Sequence, residues 1–352
     1  MPRIFVCEYI TGGGLAGEAL PVALAAAGDS MLRALLDDLR AIPTVKTATT
    51  RDPRLVSLDP DIETQVILPQ GSVWERWEQC IEAADAVWPI APETGGVLER
   101  LNRCVLDKNR ILIGCHPQAV QVTASKFRTA RELKRHHIPV VETAYLNTEL
   151  PSSDGGWVIK PDDGAGCEET YYFRRAEDVI SSGKWTHGLI LNTPPFTAGT
   201  LALGFPKGSS ATLPFGLGRG SYPAREVKLI VQPYIPGIPA SLSVLCYDGS
   251  HSLLACNAQR IQITNHRLVY SGVAVNALAH RRHEFEELAS RILEAMPGLR
   301  GYIGIDLVIT ESGPIVMEIN PRLTEAYVGL RQSLQFNPAA RVVDACMRIP
   351  VR

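Results

Sequence analysis

The stretch Gly301–Arg322 places an acid inside each of two apolar runs, with an asparagine and an arginine close behind the second acid. Gly301–Thr310 alternates as a strand, with Tyr302, Gly304, Asp306 and Val308 on one face and Ile303, Ile305, Leu307 and Ile309 on the other. Ile315–Asn320 alternates as well and puts Val316, Glu318 and Asn320 together, while Glu311-Ser312-Gly313 reads as a hairpin turn. With the turn centred on Ser312, position i lies opposite 624 − i, so Asp306 faces Glu318 and Asn320 faces Gly304. Carboxylates opposed across a ladder repel and weaken the sheet, so this pair calls for a cation between them. Three hard oxygen donors on one face suit Mg²⁺, or Mn²⁺ in its place, with waters and phosphate oxygens filling the remaining positions. Arg322 follows at once, a planar fork matched to a carboxylate or a phosphate.

A second motif fits a phosphate. Trp157-Val-Ile-Lys160 reads as a strand that runs into Pro161-Asp-Asp-Gly164-Ala-Gly166. Glycines leave backbone N–H groups open to phosphate oxygens, and Lys160 adds a point charge. The spacing is not that of a Walker A loop, and Pro-Asp-Asp-Gly is also an ordinary turn. Glu8 and Glu93 each follow a strand, where α/β sheets place ligands, and either acid suits an ammonium group or a helix cap.

Gly12-Gly13-Gly14-Leu15-Ala16-Gly17 satisfies GxGxxG after the first strand. A dinucleotide site also needs an acid ending the second strand, about 20 residues on. Asp37 and Asp38 at that distance lie in a helix pattern, and Asp52 is too far, so the fingerprint fails on spacing.

The elements that position these groups follow a β/α alternation. Strands are expected at Arg3–Ile10, Val45–Thr49, Gln65–Leu68, Ala86–Ile90 and Ile111–Gly114, with helices near Met31–Arg40 and Gly96–Val105. That series implies a mostly parallel sheet covered by helices, over residues 1–118. One helix is expected over Thr123–His136, capped by Thr123 or Ser125, and another over Glu284–Ala295. Val227–Tyr234, Ser241–Tyr247 and Ser252–Ile263 read as further strands, after a Gly/Pro-rich stretch at 192–222 with the character of a loop or a lid.

At 352 residues the chain exceeds the size of one ordinary core, so two or three domains are expected. A net charge of −2 with scattered Lys and Arg gives no nucleic-acid surface. The eight cysteines include no CxxC pair, which speaks against zinc ribbons and thioredoxin chemistry and for small buried thiols in a reducing cytoplasm. Leu20–Ala27 is too short to span a membrane, so a soluble, cytoplasmic protein acting on small molecules is expected; a homodimer stays open.

Gly301-Tyr-Ile-Gly-Ile-Asp306 followed by Glu318-Ile-Asn-Pro-Arg322 resembles the metal-binding core of the ATP-grasp superfamily. The resemblance implies an α/β first domain (1–118), a central lid domain (119–232) and a C-terminal α+β domain with the metal site (233–352). It further implies that Lys126 and Lys160 contact ATP and that Gly164 and Gly166 fold over its phosphates. Gln232, Tyr234 and Ile235, in a stretch like the family hinge, would receive adenine. Gly13 and Gly14 would help bind a substrate, and Arg322 would orient the reacting carboxylate. The family's ribose-binding acid has no counterpart in Pro239-Ala-Ser-Leu-Ser.

Three stretches, Phe5–Gly14, Val231–Ser241 and Gly298–Tyr302, resemble one branch, the ligases that join tyramine to L-glutamate for methanofuran-type cofactors. That likeness implies an ATP-dependent carboxylate–amine ligase forming γ-glutamyltyramine. Glu325-Ala326 stands where small hydroxyl residues are expected, so other amino acid and amine pairs remain open, as do a nicotinamide oxidoreductase and a non-catalytic nucleotide binder.

Overall fold

The computed structural model describes residues 1–182 and 228–347, apart from 147, 165, 168 and 248. The 192–222 stretch lies outside the described residues.

Arg3–Glu8 (β1), Lys46–Arg51 (β2), Glu63–Val66 (β3), Ala86–Ile90 (β4) and Ile111–Leu112 (β5) form a parallel sheet in the order β3-β2-β1-β4-β5. Val22–Arg40 (α1), Val73–Glu82 (α2) and Val97–Asp107 (α3) make the crossovers. The apolar run in β1 is continuous because both faces are buried. Ile4 and Val6 pack with Leu32, Leu35 and Leu36 of α1, while Phe5 and Cys7 pack with Trp77 and Leu101. The strand order reverses between β1 and β4, so the carboxyl ends of these two strands form the crevice where open α/β sheets bind ligands. Glu8 ends one strand and Glu93 lies just beyond the other.

The helix expected over Thr123–His136 is Lys126–Arg135 (α5), opened by Ser125, one of its two expected caps, and a short helix that was not expected, Pro117–Thr123 (α4), precedes it. Ser125 separates them because it is the α5 cap: its backbone is extended and its hydroxyl accepts the Arg128 N–H at 3.1 Å. The same hydroxyl donates to Asp162 Oδ2 at 2.7 Å, and Asp162 Oδ1 accepts the Phe127 N–H at 2.9 Å. The first turn of α5, with Lys126 in it, is therefore fastened to the end of the Lys160 strand.

Ala144–Tyr145 (β6), Trp157–Pro161 (β7), Tyr171–Phe173 (β8), the helix Ala176–Ser182 (α6) and Leu229–Pro233 (β9) make the central part. Ile238–Tyr247 (β10), Ser250–Thr264 (β11), Arg267–Ala274 (β12), Arg282–Ala295 (α7), Gly301–Thr310 (β13), Gly313–Asn320 (β14), Leu330–Leu334 (α8) and Pro338–Met347 (α9) complete the chain. Among the described residues these strands form one sheet in the order β14-β13-β10-β11-β12-β8-β7-β9-β6. Its two halves meet at β8 and β12, where Tyr171 lies opposite Arg267.

The β10–β13 half packs Leu242, Val244, Ile303 and Ile305 against Phe285 and Ile292 of α7. The β7–β9 part has a much smaller core, with Ile159, Val179 and Val231 at its centre. No helix among the described residues is long and apolar enough to cross a membrane.

Replacing Asp162 by Ala leaves the Phe127 amide in the first turn of α5 without its acceptor and removes the partner of the Ser125 hydroxyl. Loss of a cap of this kind costs about 1–2 kcal/mol. Hydrogen exchange should accelerate at Phe127, with a lower denaturant midpoint, and Asp162→Asn should recover part of both.

Candidate active site

Thr310 lies opposite Gly313, so the β13–β14 turn is the two residues Glu311-Ser312 and is not centred on Ser312. Gly313 has φ +115°, which suits this tight connection. Leu307 then faces Val316, and the register shifts between Asp306 and Leu307. This bulge takes up Met317 and restores Asp306 opposite Glu318 and Gly304 opposite Asn320. The expected pairing of the acids is observed, although the turn first shifts the register and the bulge shifts it back. Val316 differs from expectation: it lies on the turn side of the bulge, where the two-residue turn sets it opposite Leu307, and it is fully buried with Ile305 and Ile309. A Cβ on Gly304 would lie 2.6 Å from the Thr324 methyl, so no side chain fits there.

Asp306 accepts hydrogen bonds from Asn320 Nδ2 at 3.1 Å and from Gln259 Nε2 at 2.9 Å. Beside it Asn257 Nδ2 donates to Ser241 and Ser243, at 3.3 and 3.2 Å, and the Tyr302 hydroxyl donates to Ser243 at 2.8 Å. The sheet thus presents a polar face around Asp306 and an apolar face to α7. Asn257 and Gln259 were not singled out from the sequence; their signal is two polar residues at alternate positions of a long strand.

Two lysines reach Glu318. Lys126 Nζ lies 3.2 Å from Glu318 Oε2 and donates to the Gly164 carbonyl, while Lys160 Nζ lies 4.0 Å from the same oxygen. Burial works against the Glu318 charge, but Lys126 and Lys160 outweigh it and pull the carboxyl down to about 2. Among the described residues Asp306 has no cation so close. Burial, then the charge of Glu318, pushes its carboxyl up to about 7. Burial lowers the pKa of Lys160, whereas Glu318 overcomes burial at Lys126 and keeps it charged. The repulsion expected between the acids therefore falls on Asp306.

Arg322 Nη2 donates to Glu93 Oε2 at 3.0 Å, and Nη1 donates to the Leu323 carbonyl at 3.1 Å. Burial opposes the guanidinium charge and Glu93 more than restores it. Glu93, expected as a seat for an ammonium group, is instead engaged by this arginine. The adjoining Thr94 hydroxyl donates to the Asp163 carbonyl at 2.8 Å, and the Gly95 amide donates to the Asp163 carboxylate at 3.3 Å. Asp306, Glu318, Asn320, Lys126, Lys160, Gly164, Arg322 and Glu93 are thereby brought together from separate elements.

Glu8, Gly13 and Gly14 close the end of β1 by local packing. Glu8 is buried, accepts the Thr11 amide and hydroxyl at 2.5 and 2.6 Å, and has its carboxyl pKa raised by burial. A Cβ on Gly13 (φ +96°) would lie 2.7 Å from Ile67, and one on Gly14 2.5 Å from the Tyr9 carbonyl. Packing explains both glycines. Gly166 is exposed in a left-handed conformation at φ +65°, within the turn after β7.

Gln232 pairs with Val158 in the β7–β9 ladder and donates from Nε2 to Thr143 at 2.9 Å. Its buried Oε1 has no partner among the described residues. The Tyr234 amide is committed to the Gly156 carbonyl at 2.8 Å and its ring packs edge-on against Tyr172, with Ile235 following half-buried toward β10. Tyr270, hydrogen-bonded to Glu325, stands near Asp306 and Cys167 and was not anticipated.

Among the described residues no cluster of three or more His, Cys, Asp and Glu side chains is arranged to hold a metal. A divalent cation would therefore rest on two carboxylates and the Asn320 amide. The donor set fits: Asp306 lies opposite Glu318, whose charge helps raise the Asp306 carboxyl, and a cation relieves that repulsion.

Residues 208–326 match the ATP-grasp domain and residues 45–120 the pre ATP-grasp 3 domain. The tyramine–L-glutamate ligase of Methanocaldococcus jannaschii is 27% identical over 112 residues, 32% of this chain and 35% of that protein. The ligase of the same name from Methanocaldococcus fervens is 23% identical over 251 residues, 71% of this chain and 62% of that protein. The match thus spans less than two thirds of either curated relative. An ATP-grasp superfamily protein from Archaeoglobus fulgidus superposes with a TM-score of 0.67 at 23% identity, covering 98% of this chain and 89% of that one. The chain has the ATP-grasp fold and in sequence resembles carboxylate–amine ligases of that fold.

The imbalance between the acids predicts a pH response in metal-free protein kept in EDTA. With the Asp306 carboxyl raised from 3.8 to about 7, the folded state holds a proton that the unfolded state has released. Stability should therefore fall as pH rises from about 4 to about 7 and then level. Asp306→Asn should flatten that decline in melting temperature. Glu318→Gln should lower the melting temperature at neutral pH, because Lys126 and Lys160 lose their counter-charge.

Proposed function

We propose that this chain is an ATP-dependent carboxylate–amine ligase that joins L-glutamate to tyramine, giving γ-glutamyltyramine, ADP and phosphate. The observation that carries the ligase reading is the convergence of Asp306, Glu318 and Asn320 with Lys126, Lys160 and Arg322 on an ATP-grasp fold. The choice of glutamate and tyramine rests on the sequence resemblance alone.

In this reading a carboxylate oxygen attacks the γ-phosphorus of ATP, ADP leaves, and the amine then displaces phosphate from the acyl phosphate. A divalent cation on Asp306, Glu318 and Asn320 would supply charge neutralisation at the phosphates. Lys126 and Lys160, both held by Glu318, add fixed positive charge without flexible reach. Gly164 and Gly166 lie in the turn proposed to cover the phosphates. Gln232, Tyr234 and Ile235 line the proposed adenine hinge. Arg322 receives the reacting carboxylate and stabilises its developing charge.

Residues 119–232 act as the lid in this proposal, between the 1–118 and 233–352 domains. The small core under β7 and β9 favours such motion, since regions with few buried apolar contacts open at low cost. A lid of this kind would keep water from the acyl phosphate. A nicotinamide oxidoreductase would instead use Gly12–Gly17, but that turn is packed under Trp77, whose indole N–H donates to the Gly12 carbonyl at 3.2 Å.

ADP release should require both glutamate and tyramine. Arg322→Lys keeps the charge but loses the fork, so kcat should fall about 100-fold with little change in ATP affinity. Turnover with another carboxylate or amine, and none with this pair, would move the proposal to a different substrate pair. Absence of ADP release with every pair would reject the ligase reading and leave nucleotide binding as the surviving one.

A further inference from the structure

Glu93 belongs to the first sheet, yet its partner lies in the C-terminal part. It sits just beyond β4, in the crevice where the strand order reverses, and its side chain is 8% exposed. The contact joins it to Arg322, 229 residues further along the chain, with an N–O distance of 3.0 Å. Two atoms of the pair, Glu93 Oε1 and Arg322 Nε, are buried without a partner among the described residues. Glu93 therefore holds Arg322 through a single oxygen and a single amino group, not as a bidentate pair. The arginine is held by one amino group on Glu93 and by the other on the Leu323 carbonyl.

We infer that Glu93 is a positioning residue that fixes the direction of the Arg322 guanidinium toward the reacting carboxylate, an inference that rests on the ligase reading. An arginine side chain has several rotatable bonds, and a carboxylate partner with matched geometry removes much of that freedom. Thr94 and Gly95, directly after Glu93, bind the carbonyl and carboxylate of Asp163. Asp163 adjoins Gly164, whose carbonyl receives Lys126. One short turn of the first sheet thus sets both the arginine and the segment proposed to lie over the phosphates. Glu93 acts through Arg322, whose Nη2 it holds through Oε2.

A double-mutant cycle tests this on the full chain. Glu93→Gln keeps the shape and removes the charge, and Glu93→Asp keeps the charge and draws it back by one methylene. Mispositioning of this kind lowers activity about 10- to 100-fold. The expected result is a loss of that size in kcat for Glu93→Gln at unchanged KM for ATP, with a smaller loss for Glu93→Asp. Combining either with Arg322→Lys should cost little beyond Arg322→Lys alone.

Additive losses would overturn the inference, as would a Glu93→Gln effect confined to KM for the amine, which would make Glu93 a substrate contact. Because Glu93→Gln strands a buried guanidinium and invites misfolding, the Glu93→Asp arm carries the cycle if that variant is insoluble. Melting temperatures of the same variants without substrate read the pairing independently of turnover. Should the parent release no ADP with any substrate pair, the ligase reading fails and the melting cycle decides the pairing. Independent shifts would then overturn it, and non-additive shifts would retain it.

Discussion

Two partly buried carboxylates set face to face impose the constraint that organises the rest of the site. Asp306 and Glu318 cannot both carry full charge in that position unless positive charge comes to them. The chain answers with lysines from two other elements. Lys126 stands in the first turn of α5, the end of a helix that disfavours cations. Its place there makes sense through Glu318 and the Gly164 carbonyl, which offset that disadvantage. The Asp162 contacts to Ser125 and Phe127 then become necessary, because a lysine in the first turn is only as well placed as the turn itself.

Two buried charges in this region have opposite partners beside them: Glu318 has two lysines, and Arg322 has Glu93. Breaking such a pair by removing one partner is far costlier than its net contribution suggests, since the survivor is left uncompensated. The result is a rigid floor of sheet and ion pairs beneath a part whose own core is small. Under the proposed function, that contrast suits a site that must admit a large polyanion and afterwards exclude water.

The acid pair was legible in the sequence because strand alternation is a local property and both acids interrupt strongly apolar runs. The bulge between them was not. Met317 carries no mark of its role, since a bulge is a backbone event open to many residue types. The start of α5 was legible in its cap Ser125, but the carboxylate that fastens this cap is 37 residues away. Glu93 was visible as an acid at a strand end, whereas its arginine lies 229 residues on, beyond the reach of any local pattern. Gly13 and Gly14 read as a ligand loop because glycine runs serve both purposes, and only the neighbouring Ile67 and Tyr9 show that packing suffices.

The bulge at Met317 also makes the gap between the two acids negotiable. With the same two-residue turn and no bulge, position 317 would stand opposite Asp306; with the bulge, position 318 does. Gaps of 11 and 12 residues (317 − 306 and 318 − 306) therefore deliver an acid to the same place, the difference being absorbed in backbone shape. A single deletion in the outer hairpin need not swing the acid into the apolar layer. Such a hairpin can change in length by one residue while its acid pair stays in register. Pattern searches that insist on one fixed gap will overlook the shorter form, and a search that allows one residue of play will find both.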